Sequence, residues 1–224
     1  MAKVALVTGG TRGIGRAITD RLAKDGYKVA ANFAGNAEAA EKCGKELGVS
    51  CYQWDVGDYD ACAAGIEKIT KELGPVDVLV NNAAIRREAP IAEVSLDAWR
   101  DTLGVVLDGA FFCAQAALPW LRQSPSGAVI NIGGLTAHTG AKNRPHVVTA
   151  KAGLVGLTRA LAHDLAPHIT VNCVSPGMID TPRNSATVSG TPNHHAQHHP
   201  LMARRGTVDE VAAMVAWLCT EECS

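Results

Sequence analysis

The sequence predicts an α/β fold: a single doubly wound parallel sheet of the Rossmann type, with helices on both faces. Three observations carry that prediction. Short runs rich in Val, Ile and Ala alternate with helical stretches along all 224 residues. Those runs are apolar on both faces, as strands covered from two sides must be. The first run passes through a glycine-rich turn directly into an amphipathic helix pattern. Regular alternation of strand and helix requires right-handed crossovers, and these build a doubly wound sheet.

Taken in order, strands are predicted over residues 3–8, 27–33, 49–54, 76–81, 127–132 and 168–174. Helices are predicted near 14–25, 36–47, 58–73, 95–123, 147–166 and 207–220. In the first helix Ile14, Ala17, Ile18 and Leu22 recur at the i, i+3, i+4 spacing of one buried face. Segment 182–206 is too polar for core and directly follows a strand; it reads as a mobile substrate lid. With no internal repeat or low-complexity linker, residues 1–224 read as one domain.

Composition narrows the function classes. A 47% apolar and 19% charged chain is globular. Its 21 Lys and Arg against 22 Asp and Glu offer no field for a polyanion, which argues against nucleic acid as partner. No apolar run approaches the ~20 residues of a membrane span, and MAKVALVTGG lacks a signal-peptide layout. The seven cysteines include no CxxC pair and read as reduced thiols in a cytoplasmic protein.

The strongest local signal is Gly9-Gly10-Thr11-Arg12-Gly13-Ile14-Gly15 between the first strand and first helix. A diphosphate needs backbone N–H groups aimed at it, no Cβ in the way and a helix N-terminus behind. Glycines at 9, 13 and 15 in a strand–turn–helix context meet those needs. Sites specific for NAD place Asp or Glu at the end of the second strand to bind the ribose 2′-hydroxyl. Here that place reads Asn32-Phe33-Ala34, and Arg12 stands in the glycine loop where a guanidinium can pair with a 2′-phosphate. The sequence therefore favours NADP(H) over NAD(H), with a solvent-facing Arg12 as the plainer reading.

These residues resemble the short-chain dehydrogenase/reductase family, with a tone close to its 3-oxoacyl-carrier-protein reductase-like members. Thr8 to Gly15 matches the family's TGxxxGxG loop. Asp55-Val56 matches the pair that contacts adenine, and Asn81-Asn82-Ala83-Ala84 is similar to NNAG. Pro176-Gly177 with Thr181 matches PGxxxT, in which the backbone at Ile179 and the hydroxyl of Thr181 would hold the carboxamide. The resemblance implies cofactor contacts from Gly9, Thr11, Arg12, Gly13, Ile14, Gly15, Asn32, Asp55, Val56, Asn82, Ala83, Lys151, Pro176, Gly177, Ile179 and Thr181. It also implies a homodimer or homotetramer, and a seventh strand beyond Glu222 that this sequence does not reach.

The family's catalytic set is expected to be substituted. It uses a Tyr-x-x-x-Lys pair, a Ser thirteen residues before the Tyr and an Asn on the preceding long helix. Lys151 is present, but Val147 stands at the tyrosine position, Gly134 at the serine position and Val106 at the asparagine position. Reduction of a carbonyl develops an alkoxide that a positioned acid must protonate, and losing such an acid costs about 10²–10⁴-fold. His146, one residue from the vacant place, and His138, in the loop after the fifth strand, are the replacement candidates beside Thr136 and Lys151. A histidine suits proton transfer in either direction near neutrality.

Three functions are consistent with this pattern. The first is an atypical oxidoreductase moving hydride between a nicotinamide and a small carbonyl or alcohol. The second is a nucleotide-binding protein without dehydrogenase activity, and the third is non-redox chemistry such as dehydration in the same cleft. Arg86 and Arg87 read either as a grip for a substrate carboxylate or phosphate or as a solvated rim. The tract His194-His195-Ala196-Gln197-His198-His199 lacks a nearby carboxylate or thiol at ligand spacing, so no metal is predicted. Phe111, Phe112, Trp120 and Leu121 on the long helix read as interface or core.

Overall fold

A computed structural model of the chain describes residues 2–181 and 201–223. Six parallel strands form one sheet: β1 (Val4–Val7), β2 (Lys28–Phe33), β3 (Ser50–Gln53), β4 (Val76–Asn81), β5 (Gly127–Ile132) and β6 (Ile169–Val174). Their spatial order is β3-β2-β1-β4-β5-β6, which places the topological switch between β1 and β4. The expected fold class is what the chain adopts, with strand ends trimmed by about a residue.

Period-two alternation explains the two covered faces. Val4 and Leu6 of β1 join a cluster with Leu79, Val129 and helices α3 (Tyr59–Glu72) and α5 (Gly109–Leu121). Ala5 and Val7 point the other way, into a cluster with Val78, Val80, Ile130 and the helices α1 (Gly13–Lys24) and, near the C-terminus, Val208–Leu218. The central strands β1, β4 and β5 thus spend both faces on burial, as strands covered from two sides must.

Four of the helices begin on a side-chain cap, a local signal worth about 1 kcal/mol each. Asn36 caps α2 (Ala37–Leu47), Asp58 caps α3 and Ser95 caps α4 (Leu96–Leu103). After the short turn α6 (Thr136–Thr139) comes α7 (Pro145–Leu165), and Thr207 with Glu210 forms a capping box at the start of α8 (Val208–Leu218). Helices α1 and α7 lack a side-chain cap.

The helix expected over 95–123 is broken. Between α4 and α5 the backbone widens into a π-helical turn, Gly104–Asp108, at whose centre Val106 is buried. Such turns concentrate at functional sites, and periodicity cannot reveal them because one inserted residue leaves the apolar pattern on either side intact. The whole stretch Leu96–Leu121 also has the length and mean hydropathy of a membrane span, contrary to the expectation that no such run exists. Its apolar residues pack on β4, α3 and α7 instead. In the segment expected as a lid, residues 182–200 lie outside the described residues, and with them the histidine tract. Its described end, 201–206, returns to the loop after β6 through Gly206, which exchanges backbone hydrogen bonds with Met178 and Asp180.

Candidate active site

The glycine turn after β1 is built for close approach. Gly9 and Gly13 have φ of +61° and +53°, a region that only glycine enters without strain. At Gly15 a Cβ would stand 2.1 Å from the Gly9 carbonyl oxygen, so the helix packs directly on the turn. Around Gly13, by contrast, the space is open. Arg16 donates to the Arg12 carbonyl at 3.1 Å, and the amides of Gly13, Ile14 and Gly15 have no partner among the described residues. With no acidic residue in that first turn, α1 presents an uncapped positive end. These features fit the diphosphate of a dinucleotide.

The neighbouring residues shape this cradle from behind. Asn82 donates its side-chain amide to the carbonyls of Thr8 (2.9 Å) and Gly9 (3.1 Å), and its own N–H bonds the Thr8 hydroxyl. Ala83 N–H shares that hydroxyl at 3.0 Å. Asn32 is buried and bonded at both ends of its carboxamide: its oxygen accepts from Gly9 N–H and its amide donates to the Trp54 carbonyl. Being buried on both bonds, it braces the turn rather than offering a free group to a ribose. Arg12 is exposed, and its guanidinium has no partner among the described residues. Thr11 is buried beside it. Across the sheet edge, Asp55 is exposed and accepts from Gly57 N–H, while the Val56 side chain is buried against Gly109.

At the other half of the carboxyl edge, Lys151 is buried in α7 and its ammonium donates to the Ile132 carbonyl at the end of β5. Burial, and then the nearby positive charge of Arg86, bring its pKa down to about 8. Leu135 N–H holds the Pro176 carbonyl at 3.0 Å, joining the loop after β5 to Pro176-Gly177. Ile179 packs on Gly206, and Thr181 is the last described residue before the gap. Among the described residues no group of three metal-ligating side chains gathers.

The two candidate histidines separate. His138, in α6, is exposed, and its Nε2 shares a hydrogen bond of 3.2 Å with the Ser175 hydroxyl. Next to that pair Gly134 faces open space, and a Cβ on Gly133 would strike the Ser175 oxygen at 2.8 Å. Helix α7 does begin at Pro145, yet His146 does not lean into a cleft. It is 0% exposed, and neither ring nitrogen has a partner among the described residues. Nearby, Ala89 N–H bonds the Asn143 carbonyl and Arg144 pairs with Glu88. Burial, and then the charge of Arg87, hold the His146 imidazole below its ordinary pKa. Arg87 is itself paired with Asp101 at 3.0 Å.

The family described as "Enoyl-(Acyl carrier protein) reductase" matches residues 9–224. An acetoacetyl-CoA reductase of Shinella zoogloeoides is 40% identical over 223 residues, covering 99% of this chain and 92% of its own length. The chain belongs to the short-chain dehydrogenase/reductase family. Members of that family are NAD(P)-dependent oxidoreductases, and this is the broad class of the chain. A 3-oxoacyl-[acyl-carrier-protein] reductase of Staphylococcus aureus is 38% identical over 228 residues, covering 99% of this chain and 92% of that one. Among solved structures, a Serratia marcescens short-chain dehydrogenase/reductase superposes with a TM-score of 0.89 at 32% identity, over 98% of this chain and 91% of that one. A blue fluorescent protein from a metagenomic library, solved with NADPH, gives 0.88 at 37% identity, over 99% and 92%.

Asn131, Thr158 and Ser175 help to position this short-chain dehydrogenase fold's site and escape a motif reading. Asn81 donates to Asn131 at 2.9 Å and to the Ala110 carbonyl at 3.3 Å; Asn131 donates to Thr158 at 2.9 Å. This buried polar ladder ties β4, β5, α5 and α7 beneath the cleft. Its signal was available in the sequence, as an Asn near the carboxyl end of each of two largely apolar strands. Ser175 was missed because nothing in its surroundings marks it until His138 is folded against it. The close approach at the glycine turn gives a direct test. Gly15→Ala is expected to cost about 3 kcal/mol by overpacking and to abolish dinucleotide binding. Gly13→Ala, strained only by its φ, should cost about 1 kcal/mol. Thermal melting and fluorescence titration of the two variants measure both effects.

Proposed function

We propose that this chain reduces a small carbonyl compound with NADPH, or oxidises the corresponding alcohol with NADP, using a catalytic set that departs from the family's. The single observation that carries this reading is the His138–Ser175 pair, 3.2 Å apart beside the open space at Gly134 and on the same sheet edge as Lys151. The family positions for Tyr, Ser and Asn hold Val147, Gly134 and Val106. Valine and glycine have no proton to give. In their place His138 passes a proton through the Ser175 hydroxyl to the developing alkoxide, and the Lys151 ammonium holds the cofactor ribose. A bound nicotinamide supplies the hydride that adds to the carbonyl carbon. His146, enclosed away from this pair, takes no part.

The names of the relatives, acetoacetyl-CoA reductase and 3-oxoacyl-[acyl-carrier-protein] reductase, support a 3-oxo thioester or a similar 3-oxo compound as substrate. Preference for NADP over NAD rests on Arg12 and on the missing carboxylate at Asn32-Phe33-Ala34. Solved relatives that carry NADPH or NADP add support. We assign the chain to the cytoplasm on its seven unpaired thiols. We expect it to pair as a homodimer or homotetramer through the α5 face where Phe111 is 42% exposed. A second reading, a nucleotide-binding protein without turnover, is favoured by the three substituted positions.

Fluorescence titration with NADPH, followed by NADPH consumption against a panel including acetoacetyl-CoA, tests the proposal. Saturable binding with turnover is expected. The double variant Val147→Tyr, Gly134→Ser should change turnover only a few-fold while His138 supplies the acid, and should recover most of the turnover that His138→Ala removes. Tight binding with no turnover in either protein overturns the proposal in favour of the second reading.

A further inference from the structure

The nucleotide half of the fold contains two thiols that the reaction above does not use. Cys62 in the first turns of α3 and Cys113 in α5 are both fully buried, and their sulfurs lie 3.6 Å apart. Cys62 also donates its S–H to the Val56 carbonyl at 3.3 Å. The two contacts form a chain, in which Cys113 donates to the Cys62 sulfur and Cys62 donates to Val56. Val56 is clamped at this corner, because an added Cβ at Gly109 of α5 would lie 2.9 Å from both its carbonyl oxygen and a methyl group. The thiols therefore sit directly behind the Asp55-Val56 corner expected to carry adenine.

We propose that Cys62 and Cys113 are a modification site: they close into a reversible disulfide that loosens the adenine corner. The second half of this statement rests on the nucleotide-binding reading above. Sulfurs already in contact need to approach by only about 1.5 Å to reach the bond length of ~2.05 Å. The hydrogen bond from Cys113 favours a thiolate on Cys62, whose pKa is drawn down while that of Cys113 rises. Cys62 is thus the sulfur that meets the oxidant.

Hydrogen peroxide is the oxidant class small enough to reach a buried pair during local opening of α3 and α5. The Cys62 sulfur attacks one peroxide oxygen, the O–O bond breaks, and a sulfenic acid and one water result. The Cys113 sulfur then attacks the Cys62 sulfur, the S–O bond breaks, and a second water leaves. Two thiols lose two electrons in all, one peroxide gains them, and both S–H protons end in water. Bond formation removes the S–H donor from Val56 and draws α3 toward α5, so the corner loses the contact that fixes it.

The native protein is treated with peroxide, denatured, alkylated and mapped by mass spectrometry. A linked peptide joining Cys62 to Cys113, 2 Da lighter than the reduced pair and reversed by dithiothreitol, is expected. The oxidised protein should bind NADPH about five- to tenfold more weakly, the effect of one lost hydrogen bond at the corner. Cys62→Ser, which keeps a hydroxyl donor to Val56 but can be neither oxidised to a sulfenic acid nor cross-linked, should bind NADPH as tightly as the untreated wild type, both before and after peroxide. Should that variant fail to fold, Cys113→Ala, which cannot form the cross-link and should give no linked peptide and no dithiothreitol-reversible loss of affinity, serves the comparison. Full alkylation of both thiols after treatment, or a cross-link with unchanged NADPH affinity, overturns the proposal. Failure of the reduced protein to bind NADPH at all tells instead against the nucleotide reading, and leaves the peptide map to judge the disulfide alone.

Discussion

Lys151→Met is expected to raise the melting temperature of the cofactor-free protein while lowering turnover by at least about 10²-fold. The ammonium is buried and donates to one carbonyl, that of Ile132. Burial and the charge of Arg86 bring its pKa from 10.5 to about 8. At 1.36 kcal/mol per unit this is a native-state penalty of about 3 kcal/mol. Methionine removes the penalty but leaves the Ile132 carbonyl without its donor, a loss of about 1–3 kcal/mol. The net gain is about 1 kcal/mol, or 2–4 °C for a chain of this size.

The sign of the pH dependence follows from the depressed value. Below pH 8 Lys151 is charged in both folded and unfolded chains, and the penalty is fully present. Between about pH 8 and 10.5 the unfolded chain binds more protons than the folded one, so wild-type stability rises with pH. The advantage of Lys151→Met should therefore shrink across that window, while wild-type turnover falls as the ammonium is lost. Melting scans at pH 7 and pH 10 measure the first effect and a pH–rate profile the second. A variant that melts lower than the wild type at pH 7, or keeps its turnover, contradicts the assignment of Lys151 as a functional charge held at a cost in stability.

How far the sequence reveals this molecule depends on whether a feature is local. The strands and the glycine turn follow from apolar periodicity and from Gly9, Gly13 and Gly15, all of which act within a few residues. The π-helical turn around Val106 was not legible, since widening one turn shifts the helix phase without changing which residues are apolar. The separation of the two histidines was not legible either. Adjacency to Val147 in the chain suggested His146, but a helix turns neighbouring side chains about 100° apart. His138, nine residues before Val147, meets Ser175 from another strand's end, a contact 37 residues away along the chain. Likewise Asn32 lies where a ribose contact was expected, yet its side chain bonds Gly9 and Trp54, partners that only the parallel pairing of β1, β2 and β3 brings to it.

His138→Ala and Ser175→Ala are each expected to reduce turnover by about 10²–10⁴-fold, the range for a removed general acid, with NADPH affinity unchanged. If the two act as one relay, the double variant should be no slower than the slower single one, because either loss breaks the same path. Two independent contributions would multiply instead, and that outcome would dissolve the relay. His146 provides the internal contrast. It is buried with both ring nitrogens unpartnered among the described residues, so His146→Leu exchanges an unsatisfied polar group for an apolar one of similar size. That exchange should stabilise the protein by about 1–2 kcal/mol and leave turnover within a few-fold. Because burial depresses the His146 pKa, the unfolded chain binds its proton more readily, and the wild type loses stability as pH falls below 6.5. The Leu variant should lose less over the same range. Steady-state kinetics beside melting curves at pH 5 and pH 7 decide the matter: turnover lost with His146→Leu and kept with His138→Ala would move the proton donor from the open pair to the enclosed ring.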